Sequence, residues 1–166
     1  MRHRILPVIA SAFVLTIVLV TFGAKDAAAS HYSVGDVPTL IAAADAEKLQ
    51  KAGVGTTEDL LNKAAKPKDR KALAKAAGIP ADRLTALARH CDLLRIKGIG
   101  PEMVLLLEAA GVKSAADLAK KEPAALDAAA TKANKEKKIS EKPPTEPQYQ
   151  DWIEQAKKLP PVIEGK

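Results

Sequence analysis

The sequence predicts an all-α fold of short helices, and three observations point to it. Apolar residues recur three and four apart, as in Leu84, Leu87, Cys91 and Leu94, which places them on one helix face. Helix-stopping glycines and helix-starting prolines punctuate the chain at short intervals: Gly53, Gly78 and Gly111, and Pro67, Pro80, Pro101 and Pro123. Strand signals are weak, because no long run of β-branched residues follows residue 30. Aromatic residues make up only 3% of the chain, and Phe13 and Phe22 lie near its start. The core must therefore be built from Leu, Ile, Val and Ala.

Residues 1–29 read as a signal peptide. Arg2, His3 and Arg4 give a positive start, an apolar run extends from Ile5 to Phe22, and Ala27-Ala28-Ala29 offers the small residues a signal peptidase needs, with cleavage after Ala29. The other reading is an uncleaved anchor, because Ile5 to Ala24 is about long enough to cross a bilayer. No cysteine follows the apolar run, which argues against a lipoprotein. The expected location is therefore outside the cytoplasm: periplasmic or secreted, or tethered to the inner membrane through this segment.

Residues 30–37 are expected to be a flexible lead-in. A helical run starts near Pro38 and carries Leu40, Ile41, Ala44 and Leu49 up to Gly53. Thr56 caps a second helix, with Asp59 at the box position. Pro67 opens a third, which ends at Gly78, and Pro80 opens a fourth. Cys91 lies on the apolar stripe of that fourth helix and is expected to be a buried, inert thiol. Pro101 opens a helix that Gly111 stops, Ser114 caps a short one, and Pro123 opens another that runs to about Asn134. Pro143, Pro144 and Pro147 then break the chain. A last helix carries Tyr149, Trp152, Ile153 and Ala156 on one side, where Trp152 is expected to dock onto the core. Residues 161–166 are a tail.

An internal repeat links residues 38–64 to 96–122. Leu49, Ala52, Gly53, Val54, Asp59 and Leu60 recur as Leu107, Ala110, Gly111, Val112, Asp117 and Leu118, with Thr56 answered by Ser114 and Ile41 by Ile99. Both copies keep the turn and cap chemistry, which argues for duplication.

One motif carries chemistry. Ile96-Lys97-Gly98-Ile99-Gly100 followed by an apolar helix is the helix-hairpin-helix pattern. Its glycines allow a tight turn and close backbone approach, and a Gly100→Arg change is expected to destroy that turn. Ile99 plugs the space between the helices, and the free N–H groups at the next helix start suit a phosphate oxygen. The hairpin's carbonyls would suit a monovalent cation. The candidate phosphate- or monovalent-ion-binding residues are Lys97, Gly98, Ile99 and Gly100, flanked by Arg95. Against phosphate stands Glu102 in the first turn, and the first copy has Leu40, Ile41 and Ala42 where glycines would be needed.

Other chemistry is thin. No catalytic set is visible, no cofactor is implied, and no metal site is expected. His90 and Cys91 are neighbours that point in different directions on a helix. Cys91 is the only cysteine, so no intramolecular disulfide can form. The run Lys63, Lys66, Lys68, Arg70, Lys71 and Lys75 reads as a solvated face. The chain carries +6, and residues 1–29 hold Arg2, Arg4 and Lys25 against Asp26, so the remainder carries about +4. That permits anionic partners without demanding them.

The stretch Asp92-Leu93-Leu94-Arg95-Ile96-Lys97-Gly98-Ile99-Gly100, then Leu106-Leu107-Glu108-Ala109-Ala110-Gly111-Val112 and Asp117-Leu118-Ala119, resembles a domain-of-unknown-function family with tandem helix-hairpin-helix units. The ending Trp152-Ile153-Glu154-Gln155-Ala156-Lys157-Lys158-Leu159-Pro160 is typical of that family too. The resemblance covers residues 38–160. It implies tandem helix-hairpin-helix units with an extra C-terminal helix, and it implies no activity. The hairpin alone is also similar to domains of DNA repair proteins and of the exported DNA receptor of competent bacteria. The expected function is a non-catalytic interaction module of the cell envelope with an unidentified protein partner. The alternative is an envelope DNA-binding protein that contacts phosphates through the hairpin. A small-molecule substrate is not expected, and membrane contact is expected only through an uncleaved N-terminal segment.

Overall fold

The computed structural model describes residues 31–165. Within them the chain is all helical. It forms α1 (Ala43–Lys51), α2 (Thr57–Ala64), α3 (Pro67–Ala77), α4 (Ala81–Leu93), α5 (Pro101–Ala109), α6 (Ala115–Leu118), α7 (Pro123–Lys137) and α8 (Glu146–Lys158). Residues 1–29, expected from sequence to be a signal peptide, lie outside the described residues. No helix among those described is long and apolar enough to cross a membrane.

Local chemistry sets the boundaries. Prolines stand in the first turns of α3, α5, α7 and α8, where their missing N–H costs nothing. At α2 the Thr56 hydroxyl accepts the Asp59 N–H, and the Asp59 carboxylate accepts the Thr56 N–H, each at 3.0 Å. The Thr56 hydroxyl, with the N–H groups of Thr56 and Gly55, holds the Asp59 carboxyl below its usual range. Ser114 repeats the cap at α6, accepting the Asp117 N–H at 3.1 Å. Gly53 and Gly111 both lie at positive φ, and behind each the valine N–H (Val54, Val112) returns to a leucine carbonyl (Leu49, Leu107) at 2.9 Å. The two copies thus share the glycine turn and the hydroxyl cap, while the reciprocal carboxylate bond to the cap residue is made at Thr56 and not at Ser114.

The duplication extends further than the repeat predicted from sequence. In the first half α1 packs on α3, α2 on α4 and α3 on α4; in the second, α5 packs on α7, α6 on α8 and α7 on α8, while the packing of α2 on α3 is particular to the first half. Each unit therefore has four helices. The buried residues of α4 include Leu84, Leu87, Ala88 and Cys91, and α8 buries Tyr149, Trp152, Ile153 and Ala156 at the same three-one-three spacing. The C-terminal helix α8 packs in the second half as α4 does in the first. One continuous core runs through both units, from Leu49 and Leu60 to Leu107 and Leu118. Its composition is Leu, Ile, Val and Ala, with Tyr149 and Trp152 as the buried aromatics.

Several expectations need correction. The lead-in is anchored: Val34 and Val37 are buried, the Val34 N–H donates to the Gly55 carbonyl at 3.0 Å, and Ser33 bridges to Thr56. Burying two valines offsets the entropy of ordering a short segment. The first helix begins at Ala43, because residues 37–41 form a turn in which the Ile41 N–H donates to the Val37 carbonyl. The tail returns to the core, with Val162 and Ile163 packed against it and the Glu164 N–H donating to the Ala65 carbonyl at 2.9 Å. Arg70 is not part of a solvated face. It is buried, and its guanidinium donates to the Glu164 carbonyl.

Candidate functional site: the α4–α5 hairpin and its cover

The hairpin begins where α4 runs out at Leu93. The Ile96 N–H donates to the Leu93 carbonyl and the Ile99 N–H to the Ile96 carbonyl, each at 3.1 Å, which makes two tight turns in succession. Ile96 and Ile99 are both buried in the core. The repeat partner of Ile99, Ile41, is buried in the same way.

The two glycines have different duties. Gly98 sits at φ +91, in the region that L side chains avoid, and a Cβ there would stand 2.9 Å from Trp152 Nε1. Gly100 has φ −97 and ψ 179, ordinary extended backbone, with nothing within 4 Å of a Cβ. The turn's need for glycine therefore falls on Gly98, and the expectation for Gly100→Arg is corrected: that site is open.

Helix α8 covers the loop. The Lys97 N–H donates to Gln155 Oε1 at 2.9 Å, and Gln155 Nε2 donates back to the Lys97 carbonyl at 3.2 Å. Asp151 orients that amide by accepting its other N–H at 2.9 Å. Trp152 lies over Gly98 and meets Tyr149 edge to face, with centroids 5.5 Å apart. Burial pushes the Tyr149 hydroxyl up to about 12.

Arg95, expected as a flanking phosphate contact, is committed within the protein. It donates to Asp92 Oδ1 at 2.7 Å and to the Pro160 carbonyl at 3.2 Å. Asp92 is itself only 2% exposed. Its second oxygen accepts the Ala115 N–H at 2.9 Å and so caps α6 from α4. Lys97 is exposed, and Glu102 stands in the first turn of α5. The hairpin thus offers one exposed ammonium, with a carboxylate nearby and its first backbone donor already engaged.

Sequence reasoning missed Asp92 and Gln155. Their partners lie 23 and 58 residues away, and neither sits in a local motif. Cys91 is buried as expected, and burial raises its thiol to about 12, so it carries no thiolate at neutral pH. It floors a cavity of about 340 Å³ between α2, α4 and the tail, rimmed by His31, Glu58, Asn62 and Arg95. His90 is also buried and does not point to solvent. It faces Glu108 across the hairpin. Among the described residues no three His, Cys, Asp or Glu side chains converge to hold a metal ion.

Comparison with known families places these features. A family model described as a domain of unknown function, DUF4332, matches residues 39–159. The chain belongs to the DUF4332 family. No curated protein and no solved structure matches it. The DUF4332 match spans α1 through α8, so both four-helix units and the helix that covers the hairpin fall inside one family domain.

Proposed function

We propose that this DUF4332 chain is a non-catalytic binding module of the cell envelope whose partner is another protein. The carrying observation is the engagement of the hairpin by α8. Gln155 takes both the N–H and the carbonyl of Lys97, and Arg95 is held by Asp92 and Pro160. A phosphate arriving there would meet Glu102 and one free lysine. Protein contact is supported by α5 next door. Met103 and Leu105 pack partly against the core and leave a minor share of their surface open, on a helix that is apolar nearly all round from Met103 to Leu107. The basic start, apolar run and Ala-x-Ala site of residues 1–29 support export.

A second reading is DNA binding through this helix-hairpin-helix loop. Exposed Lys97 and the open space at Gly100 favour it. Titrating the purified protein into labelled single- and double-stranded DNA at low and physiological salt separates the two. The protein-binding reading expects no saturable binding at physiological salt. Micromolar binding that falls steeply with salt, and falls again in Lys97→Glu, would replace it with the DNA reading. A photo-cross-linker at Leu105 is expected to give a discrete protein adduct in envelope preparations, and one at Lys71 on α3 is not.

A further inference from the structure

We propose that the small cavity between α4 and the α5–α6 turn is a binding site for an oxyanion bearing a phosphate group. Ala86, Arg89, His90, Glu108 and Lys113 line it. None of these residues belongs to the Lys97–Gly100 loop.

Three nitrogen-bearing side chains converge on the cavity. Arg89 is half-buried and Lys113 is exposed, and neither pairs with a carboxylate among the described residues. Between them sits His90, whose side chain is only 9% exposed. Its Nδ1 is buried without a hydrogen-bond partner, and its Nε2 stands 3.1 Å from Glu108 Oε2 but out of line for a hydrogen bond. Buried polar atoms without partners are rare, because each forfeits hydration and recovers nothing. With Glu108 swung aside, a bound anion that accepts from Nε2 would remove that cost at this nitrogen.

Charge and size select the ligand. Arg89 and Lys113 repel a cation, so His90 and Glu108 do not make half of a metal site. Glu108 is the one carboxylate lining the cavity, and its side chain is 46% exposed, free to swing into water when an anion enters. At about 170 Å³ the cavity is smaller than the roughly 300 Å³ where organic-ligand pockets begin. A tetrahedral oxyanion can accept from a guanidinium, an ammonium and an imidazole lining one cavity, and phosphate pairs well with a guanidinium fork.

The test is calorimetric titration of the full chain with inorganic phosphate and, separately, with glycerol 3-phosphate, at constant ionic strength set by chloride. Saturable binding of either is expected, and a preference between them tells a free phosphate from a headgroup-like monoester. Affinity should fall about tenfold in Arg89→Gln and in Lys113→Gln, rise in Glu108→Gln, and stay unchanged in Lys71→Gln. The His90 imidazole resonances should move with saturation. Failure of both ligands to saturate at about ten times a millimolar Kd would overturn the proposal, as would wild-type affinity in both Arg89→Gln and Lys113→Gln. The two substituted side chains reach solvent, so loss of folding does not confuse the result.

Discussion

Trp152 Nε1 stands 2.9 Å from where a Cβ on Gly98 would be, so the last helix and the hairpin loop are fitted to each other at the level of a single methyl group. The glycine meets two demands at once: a left-handed turn and an indole against its face.

Gly98→Ala should therefore destabilise the protein by about 2–4 kcal/mol, combining positive-φ strain with a displaced indole. Gly100→Ala, two residues further on, should change stability by less than about 0.5 kcal/mol, because its φ is ordinary and its Cβ site is open. Urea unfolding of the two variants checks the contrast. Equal costs would mean that α8 does not press on the loop.

Asp92→Ala should cost about 3 kcal/mol. The carboxylate is buried, holds Arg95 and caps α6, and its removal leaves a partly buried guanidinium with only the Pro160 carbonyl, and the Ala115 N–H without a partner. Thermal unfolding followed by circular dichroism measures this. A cost below about 0.5 kcal/mol would show the bonds to be incidental.

Cys91 makes stability depend on alkaline pH. Its thiol moves from an ordinary 9.0 to about 12 on folding, so above pH 9 the unfolded chain loses a proton that the folded chain keeps. The Cys91 contribution should be flat below pH 9 and fall as pH rises toward 12. Tyr149, raised from 10.0 to about 12, adds to the fall above pH 10. Cys91→Ala should flatten the segment between pH 9 and 10, where tyrosine contributes least. The native thiol should also resist alkylation at pH 8 until the protein is unfolded.

Lys138 ends α7 with φ +50 and ψ 48, a left-handed conformation on a residue with a side chain. Its N–H donates to the Asn134 carbonyl at 2.8 Å, and the Asn134 amide brackets Ser140 on both its N–H and its carbonyl at 2.8 Å. Lys138→Gly should stabilise the protein by about 0.5–1 kcal/mol, because relief of strain exceeds the added freedom of the unfolded chain. A midpoint shift in urea without a change of slope is the expected signature.

What could be read from the sequence follows physical range. The helices, their caps at Thr56 and Ser114 and the turns at Gly53 and Gly111 are local, so spacing and residue type disclose them. The four-helix repeat is half hidden. Tyr149, Trp152, Ile153 and Ala156 share a pattern of burial with Leu84, Leu87, Ala88 and Cys91 but no identities, and a longer connection precedes α8. The hairpin was legible as a turn, and its cover was not, because Gln155 on an otherwise polar face of α8 carries no local signature of the Lys97 backbone it binds. Val34 and Val37 were too few to show a period, so their anchoring was invisible. His90 was placed on the right helix, while its burial against Glu108 depends on how α4 meets α5.

The most direct measurement is hydrogen exchange at the Lys97 amide, in the wild-type protein and in Gln155→Ala. If α8 occupies the hairpin, this amide is protected in the wild type and exchanges near the free rate in the variant, while the core amides Val54 and Val112 stay protected in both. A Lys97 amide that exchanges freely in the wild type would contradict the account and return the loop to the phosphate-binding reading.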